Sequence, residues 1–169
     1  MEKLNQTGFQ SIIQNLKNSD LNLKRFKCFN CLDTGLDSGS FCSCEAGREK
    51  RTEMLLSHSG IPAVHFGDTL GAFKLRKGAE DTLLAAKEMA EGRLCWLLIY
   101  GGIGNGKTHL AYGVVLEYIN QGRGAKFVYC PSLVTAIRYL PGEKPLELLQ
   151  ELETVPLLVM DDFFWSTDW

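Results

Sequence analysis

Phe9, Ile12, Ile13 and Leu16 fall at i, i+3, i+4 and i+7, the spacing of one face of a short amphipathic helix. A second, charged helix is predicted over 45–57, EAGREKRTEMLLS. Residues 58–73, HSGIPAVHFGDTLGAF, hold several glycines and a proline with no sustained period, and read as a linker. From residue 74 the pattern changes. A helix over 78–91, with Leu83, Leu84 and Ala85 inward, ends at Gly92. LCWLLIY, 94–100, is a continuous apolar run of the kind found in a strand buried on both faces of a parallel sheet. A glycine loop follows, then a helix from Thr108 to about Gln121, stopped by Gly122 and Gly124. KFVYC, 126–130, predicts a second strand, 132–153 a helix broken at Pro141-Gly142, and LLVM, 157–160, a third strand ending at Asp161-Asp162. Strand, helix, strand, helix, strand is an α/β parallel arrangement. No internal repeat or low-complexity tract interrupts it.

Composition adds limits. The 169 residues are 45% hydrophobic and 22% charged, as in a globular protein with a real core, and no run nears a bilayer-spanning length. MEKLNQTGFQ has no secretory apolar core, which predicts a cytoplasmic chain with no membrane contact. A formal net charge of -2 excludes a globally basic nucleic-acid binder but leaves room for a local basic groove. Residues 1–27 carry Lys3, Lys17, Lys24, Arg25 and Lys27 against Glu2 and Asp20, so their helix suits either packing on a neighbouring module or docking a partner. Much of the acid lies in 142–169, a solvated helix face plus the carboxylates that close the third strand.

Four of the six cysteines fall close together, Cys28-x-x-Cys31 and Cys42-x-Cys44. In a reducing compartment disulfides are disfavoured, and four thiolates at this spacing suit tetrahedral zinc. A site filled by four protein ligands has no open position, so the predicted role is in folding. Cys95 and Cys130 lie in apolar runs and are expected to be buried and inert. His58 and His65 lack metal spacing to the cysteines and are expected to be solvated or packed.

The glycine loop reads Gly101-Gly102-Ile103-Gly104-Asn105-Gly106-Lys107-Thr108, a full match to G-x-x-x-x-G-K-[ST] between an apolar strand and a helix. Its glycines let backbone N–H groups approach a β-phosphate, and the following helix points its positive end there. Lys107 would neutralise the β- and γ-phosphates, and the Thr108 hydroxyl would complete an Mg²⁺ shell. The third strand delivers a carboxylate at its C-terminal end, where open α/β sheets bind ligands. Asp161 is expected to hold Mg²⁺ through water, and Asp162 to orient or deprotonate the attacking water. Asp162 and Lys107 are thus the catalytic candidates.

GGIGNGKTHLA followed by LLVMDDF resembles the AAA+ ATPases of the bacterial and phage helicase-loader group, of DnaC and DnaI type, whose relative is the transposition helper IstB. The match extends through Gly106-Lys107-Thr108-His109-Leu110-Ala111, the closing Ser166-Thr167-Asp168-Trp169, and Gly60-Ile61-Pro62 with Phe66 to Phe73. The paired cysteines are similar to a small N-terminal module of phage members. The resemblance implies a P-loop fold preceded by the zinc module, with Gly101 to His109 on ATP and the linker near adenine. It also implies ATP hydrolysis by the full-length protein, an oligomer of like subunits, a replicative hexameric helicase as partner, and loading of that helicase on single-stranded DNA. On this basis residues 1–57 are the helix and zinc module, 58–73 the linker, and 74–169 the first half of an ATPase domain.

One departure is large. AAA+ sheets run in the order 5-1-4-3-2, and the strand that belongs between the first and third would follow Trp169, together with the sensors and the arginine finger. The chain therefore reads as part of a protein roughly 100–150 residues longer. Two other functions stay open: an IstB-like transposition helper acting with a transposase on duplex DNA, and a nucleotide-binding module without turnover.

Overall fold

The computed structural model describes residues 26–163. The helix predicted at Phe9–Leu16 and the closing Ser166–Trp169 lie outside them. The chain divides into two compact units with the boundary between Lys50 and Arg51.

In the first unit, β1 (Leu36–Asp37) and β2 (Ser40–Phe41) form a two-residue hairpin in the register Leu36↔Phe41 and Asp37↔Ser40. Its turn residues, Ser38 and Gly39, both have positive φ, 48° and 85°. That pair of left-handed residues matches the twist of an antiparallel ribbon. Helix α1 (Glu45–His58) begins in this unit, and the unit boundary falls within it.

The second unit is built on α3 (Lys107–Asn120), whose KTHLAYGVVLEYIN sequence is apolar nearly all round. Leu110, Tyr112, Val114, Val115, Leu116, Tyr118 and Ile119 are buried, which marks a central helix rather than a surface one. Helix α2 (Glu80–Ala90) packs on it through Ala86 and Ala90. Leu83 belongs to that face, but Leu84 is 56% exposed, contrary to expectation, because the buried stripe follows 83, 86 and 90. Strands β3 (Lys126–Tyr129) and β4 (Leu158–Asp161) pair in parallel in the register Lys126↔Leu158 to Tyr129↔Asp161. Between them run α4 (Cys130–Tyr139) and α5 (Lys144–Thr154), each with proline in its first turn, where a missing N–H costs nothing.

Residues 59–73 are folded onto this core. Ser59 is fully buried, its hydroxyl donating to the Leu56 carbonyl at 2.7 Å and accepting the Ile61 N–H at 3.2 Å. The Phe127 N–H donates to the Ser59 carbonyl, so the segment joins the start of β3. Ile61 and Leu70 are buried, and a 3-10 turn, Ala63–His65, lies between them.

The strand expected at 94–100 is corrected. The segment forms no strand; the one parallel sheet among the described residues is β3–β4. Leu97 and Ile99 turn to the core, whereas Trp96, Leu98 and Tyr100 are 76%, 55% and 87% exposed. Cys95 is exposed rather than buried, although it shares the parity of Leu97 and Ile99, while Cys130 is buried as expected. A strand needs a ladder partner at its edges and a packed layer on each face to be buried on both sides; this segment has no ladder partner among the described residues, and only one side of it meets the core. An apolar cleft of about 320 Å³, lined by Leu97, Ile99, Val114, Leu158 and Met160, separates it from β4. No helix among the described residues is long and apolar enough to cross a membrane.

Candidate phosphate and metal sites

The glycine loop ends at Gly106, which holds φ 82° as the residue before α3. A Cβ there would lie 2.7 Å from the Phe73 ring, so the position excludes a side chain on two grounds. Lys107 is the first residue of the helix, and its Nζ donates to the carbonyls of Gly101 at 3.1 Å and Gly102 at 3.0 Å. The loop carbonyls are thus gathered on the lysine. Ile103 is fully exposed at the loop tip.

Thr108 follows on the same helical turn, and its hydroxyl donates to Asp161 Oδ2 at 2.8 Å. The two residues are 53 positions apart in sequence. α3 and the C-terminal end of β4 bring them together, a hydroxyl and a carboxylate as hard-oxygen ligands of the kind Mg²⁺ takes. Asp162 is exposed and holds φ 53°, a conformation uncommon outside glycine, which turns the chain sharply just after the strand.

His109 meets the 68–73 segment. Its Nε2 lies 2.9 Å from the Thr69 carbonyl, its Nδ1 3.8 Å from Asp68, and its ring sits edge-on to Phe73 at 5.4 Å. His65 pairs with Asp68 at 2.8 Å and stacks on Tyr112 at 4.7 Å, the packed histidine of the two expected outcomes, whereas His58 is exposed. Burial first, and then the charges of Asp161 and Asp68, push the Tyr112 phenol above its ordinary value. Burial, with Asp161 and Asp162, does the same to the Cys130 thiol. Sequence reasoning missed Asp68, Thr69 and Phe73 as contacts of the phosphate-loop helix, because they lie in an aperiodic stretch and meet it only in three dimensions.

In the first unit the ligand atoms of Cys28, Cys31, Cys42 and Cys44 all lie within 4.8 Å of one another. Cys28 and Cys42 sulfurs are 3.7 Å apart, and Cys31 and Cys44 sulfurs 3.5 Å. Zn–S bonds of about 2.3 Å in a tetrahedron put sulfurs about 3.8 Å apart, so the cluster fits zinc. The supporting geometry is local. The Asp33 carboxylate accepts the N–H groups of Lys27 and Cys28 at 2.9 and 2.8 Å. Gly47 brings the first turn of α1 so close to Cys42 that a Cβ would lie 1.9 Å from its carbonyl oxygen. The backbone N–H groups of Cys31 and then Asn30 hold the Cys28 thiol down to about 7, favouring the thiolate a metal needs. Desolvation lifts Cys31.

No protein-family model matches the chain. Over 100 residues, 56% of the chain, it is 31% identical to the chromosomal replication initiator protein DnaA from two strains of Cereibacter sphaeroides. The match spans 22% of the length of those relatives, so over that stretch the chain is similar to a replication initiator.

Proposed function

We propose that the chain is the nucleotide-binding part of a DNA-replication ATPase of the helicase-loader type. The observation that carries the nucleotide half of this reading is the hydrogen bond from Thr108 to Asp161 beside a lysine-anchored glycine loop. Gly101 to Lys107 wrap the phosphates of ATP, and Lys107 turns from the loop carbonyls to the β- and γ-phosphates. Thr108 and Asp161 hold Mg²⁺, which when bound offsets charge on the phosphate oxygens. Asp162, exposed beside them, orients the attacking water. His109 packs on the 68–73 segment and supports the nucleotide site from behind. The cysteine cluster holds zinc and folds the N-terminal unit.

Similarity to a replication initiator supports a role in replication. The combination of a phosphate loop with a separate cysteine unit favours a loader, because that unit offers a second surface for a helicase. The partners are then a replicative hexameric helicase, further copies of the same protein, and single-stranded DNA. The test is reconstitution with a replicative helicase on single-stranded DNA coated with binding protein. ATP-dependent helicase loading that Lys107→Ala removes is the expected result. Capture of a transposase in place of the helicase would move the assignment to a transposition helper. Nucleotide binding with neither hydrolysis nor a helicase effect would leave only a binding module.

A further inference from the structure

Arg76 lies outside the phosphate-loop pattern, 28 positions before Gly104, yet its guanidinium Nη1 donates to the Gly104 carbonyl at 2.8 Å. The turn that opens α2 fixes its backbone. The Ala79 N–H donates to the Arg76 carbonyl at 3.0 Å, and the Gly78 N–H to the Glu80 carboxylate at 2.7 Å. α2 is in turn packed on α3, the helix the loop feeds. Arg76 therefore reaches the loop from a rigid neighbour.

Gly104 holds φ 77°, and a glycine gives its peptide plane little intrinsic preference for one face. In a trans peptide the carbonyl of Gly104 and the N–H of Asn105 point in opposite directions. A guanidinium that holds the Gly104 carbonyl thereby also fixes the direction of the Asn105 N–H, a group a phosphate oxygen could meet. Arg76, Lys77 and Lys107 also line one cleft of about 240 Å³ with Tyr100 and Asn105, so the surroundings favour an anion.

We propose that Arg76 is a positioning residue for the phosphate loop, setting the 104–105 peptide so that its N–H is ready for the terminal phosphates of the nucleotide. This rests on the phosphate-site reading above. Arg76 is exposed, so its loss should leave folding intact.

The test uses the whole chain and fluorescent mant-ATP, mant-ADP and mant-AMP. Arg76→Ala is expected to weaken mant-ATP and mant-ADP by about five- to tenfold, the worth of one charge-assisted hydrogen bond at an exposed site. Mant-AMP, which lacks the phosphates in question, should bind as in the wild type. Arg76→Lys, which keeps a donor, should recover most of the loss. The melting temperature without nucleotide should move by less than about 2 °C. Mant-ATP binding within twofold of wild type would overturn the proposal, as would an equal loss for mant-AMP or a parallel fall in melting temperature. Lys107→Ala separates the two levels. If it abolishes binding while Arg76→Ala does nothing, only the role of Arg76 fails. If the wild type itself binds no mant-ATP, the phosphate site fails and Arg76 with it.

Discussion

Lys107 and Gly113 sit six residues apart on α3, and substitutions at the two test different physics. Among the described residues, the hydrogen bonds of Lys107 Nζ are to loop carbonyls, which it can exchange for phosphate oxygens. Its replacement by alanine removes charge-assisted bonds to phosphate, and ATP affinity measured by calorimetry should fall about a hundredfold or more. Unchanged affinity would remove the phosphate-loop assignment. Gly113 faces Leu70, and a Cβ there would lie 2.7 Å from Leu70 Cδ2 and 2.9 Å from its backbone N. Helix propensity favours alanine by about 1 kcal/mol. The side chain of Leu70 can yield, but its backbone cannot without moving the segment that carries Ile61 and Phe73. Overpacking of this kind costs about 1–3 kcal/mol, so Gly113→Ala should destabilise the chain on balance, as read by denaturant unfolding. A more stable variant would mean that residues 61–73 are held loosely. The loop itself was legible in the sequence because its chemistry is contiguous. The fit of Leu70 on Gly113 was not, because nothing in the spacing of an aperiodic stretch says which helix it meets.

At the scale of elements, the helices of the described residues were readable in the sequence to within two residues. The run 94–100 was not. Its apolar residues fit a buried strand, but a strand is a pairing, and hydrophobicity does not name the partner. The observed alternation, with Leu97 and Ile99 inward and Trp96, Leu98 and Tyr100 outward, is that of a segment covered on one side. β3 and β4, by contrast, find each other, and α5 is tied to β3 by an ion pair between Lys126 and Glu151. The hydrogen bond from Lys126, and then its charge, hold the Glu151 carboxyl below its ordinary value of 4.5. A carboxyl depressed in the folded state contributes stability that is present above the unfolded value and is lost as pH falls through the folded one. Both partners lie near water, so the effect is small and falls with salt. Glu151→Gln should therefore lower stability slightly at pH 6 and by less near pH 3, when both proteins are compared by urea unfolding. An equal loss at both pH values would assign the effect to packing of α5 instead.

Over the whole molecule, the two units differ in what holds them. The second has a continuous apolar core around α3. Among the described residues, the first has a two-residue hairpin, the start of α1 and four gathered thiols, with Cys31 and Cys42 as its buried residues of apolar type. The described part of this unit, 26–50, buries too little apolar surface by itself to offset its chain entropy, and small domains with so little core commonly depend on metal or cross-links. The four thiols form no disulfide and lie close enough together to hold a metal, the support such a unit calls for. The sequence showed the ligand set by spacing alone; it could not show that Asp33 accepts two backbone N–H groups at the first ligand or that Gly47 lets α1 approach Cys42. Protein purified under reducing conditions should carry one equivalent of zinc by elemental analysis. Cys28→Ser should lose it, because three thiolates leave the tetrahedron open. Amide exchange across 28–50 should then rise to near the unchained rate, while protection along α3 and the affinity for ATP stay at wild-type values. Loss of ATP binding in the same variant would show that the metal organises the phosphate site as well. Retained protection across 28–50 in protein free of zinc would show that the cysteine unit folds on its hydrogen bonds alone, against the small core that argues for a metal.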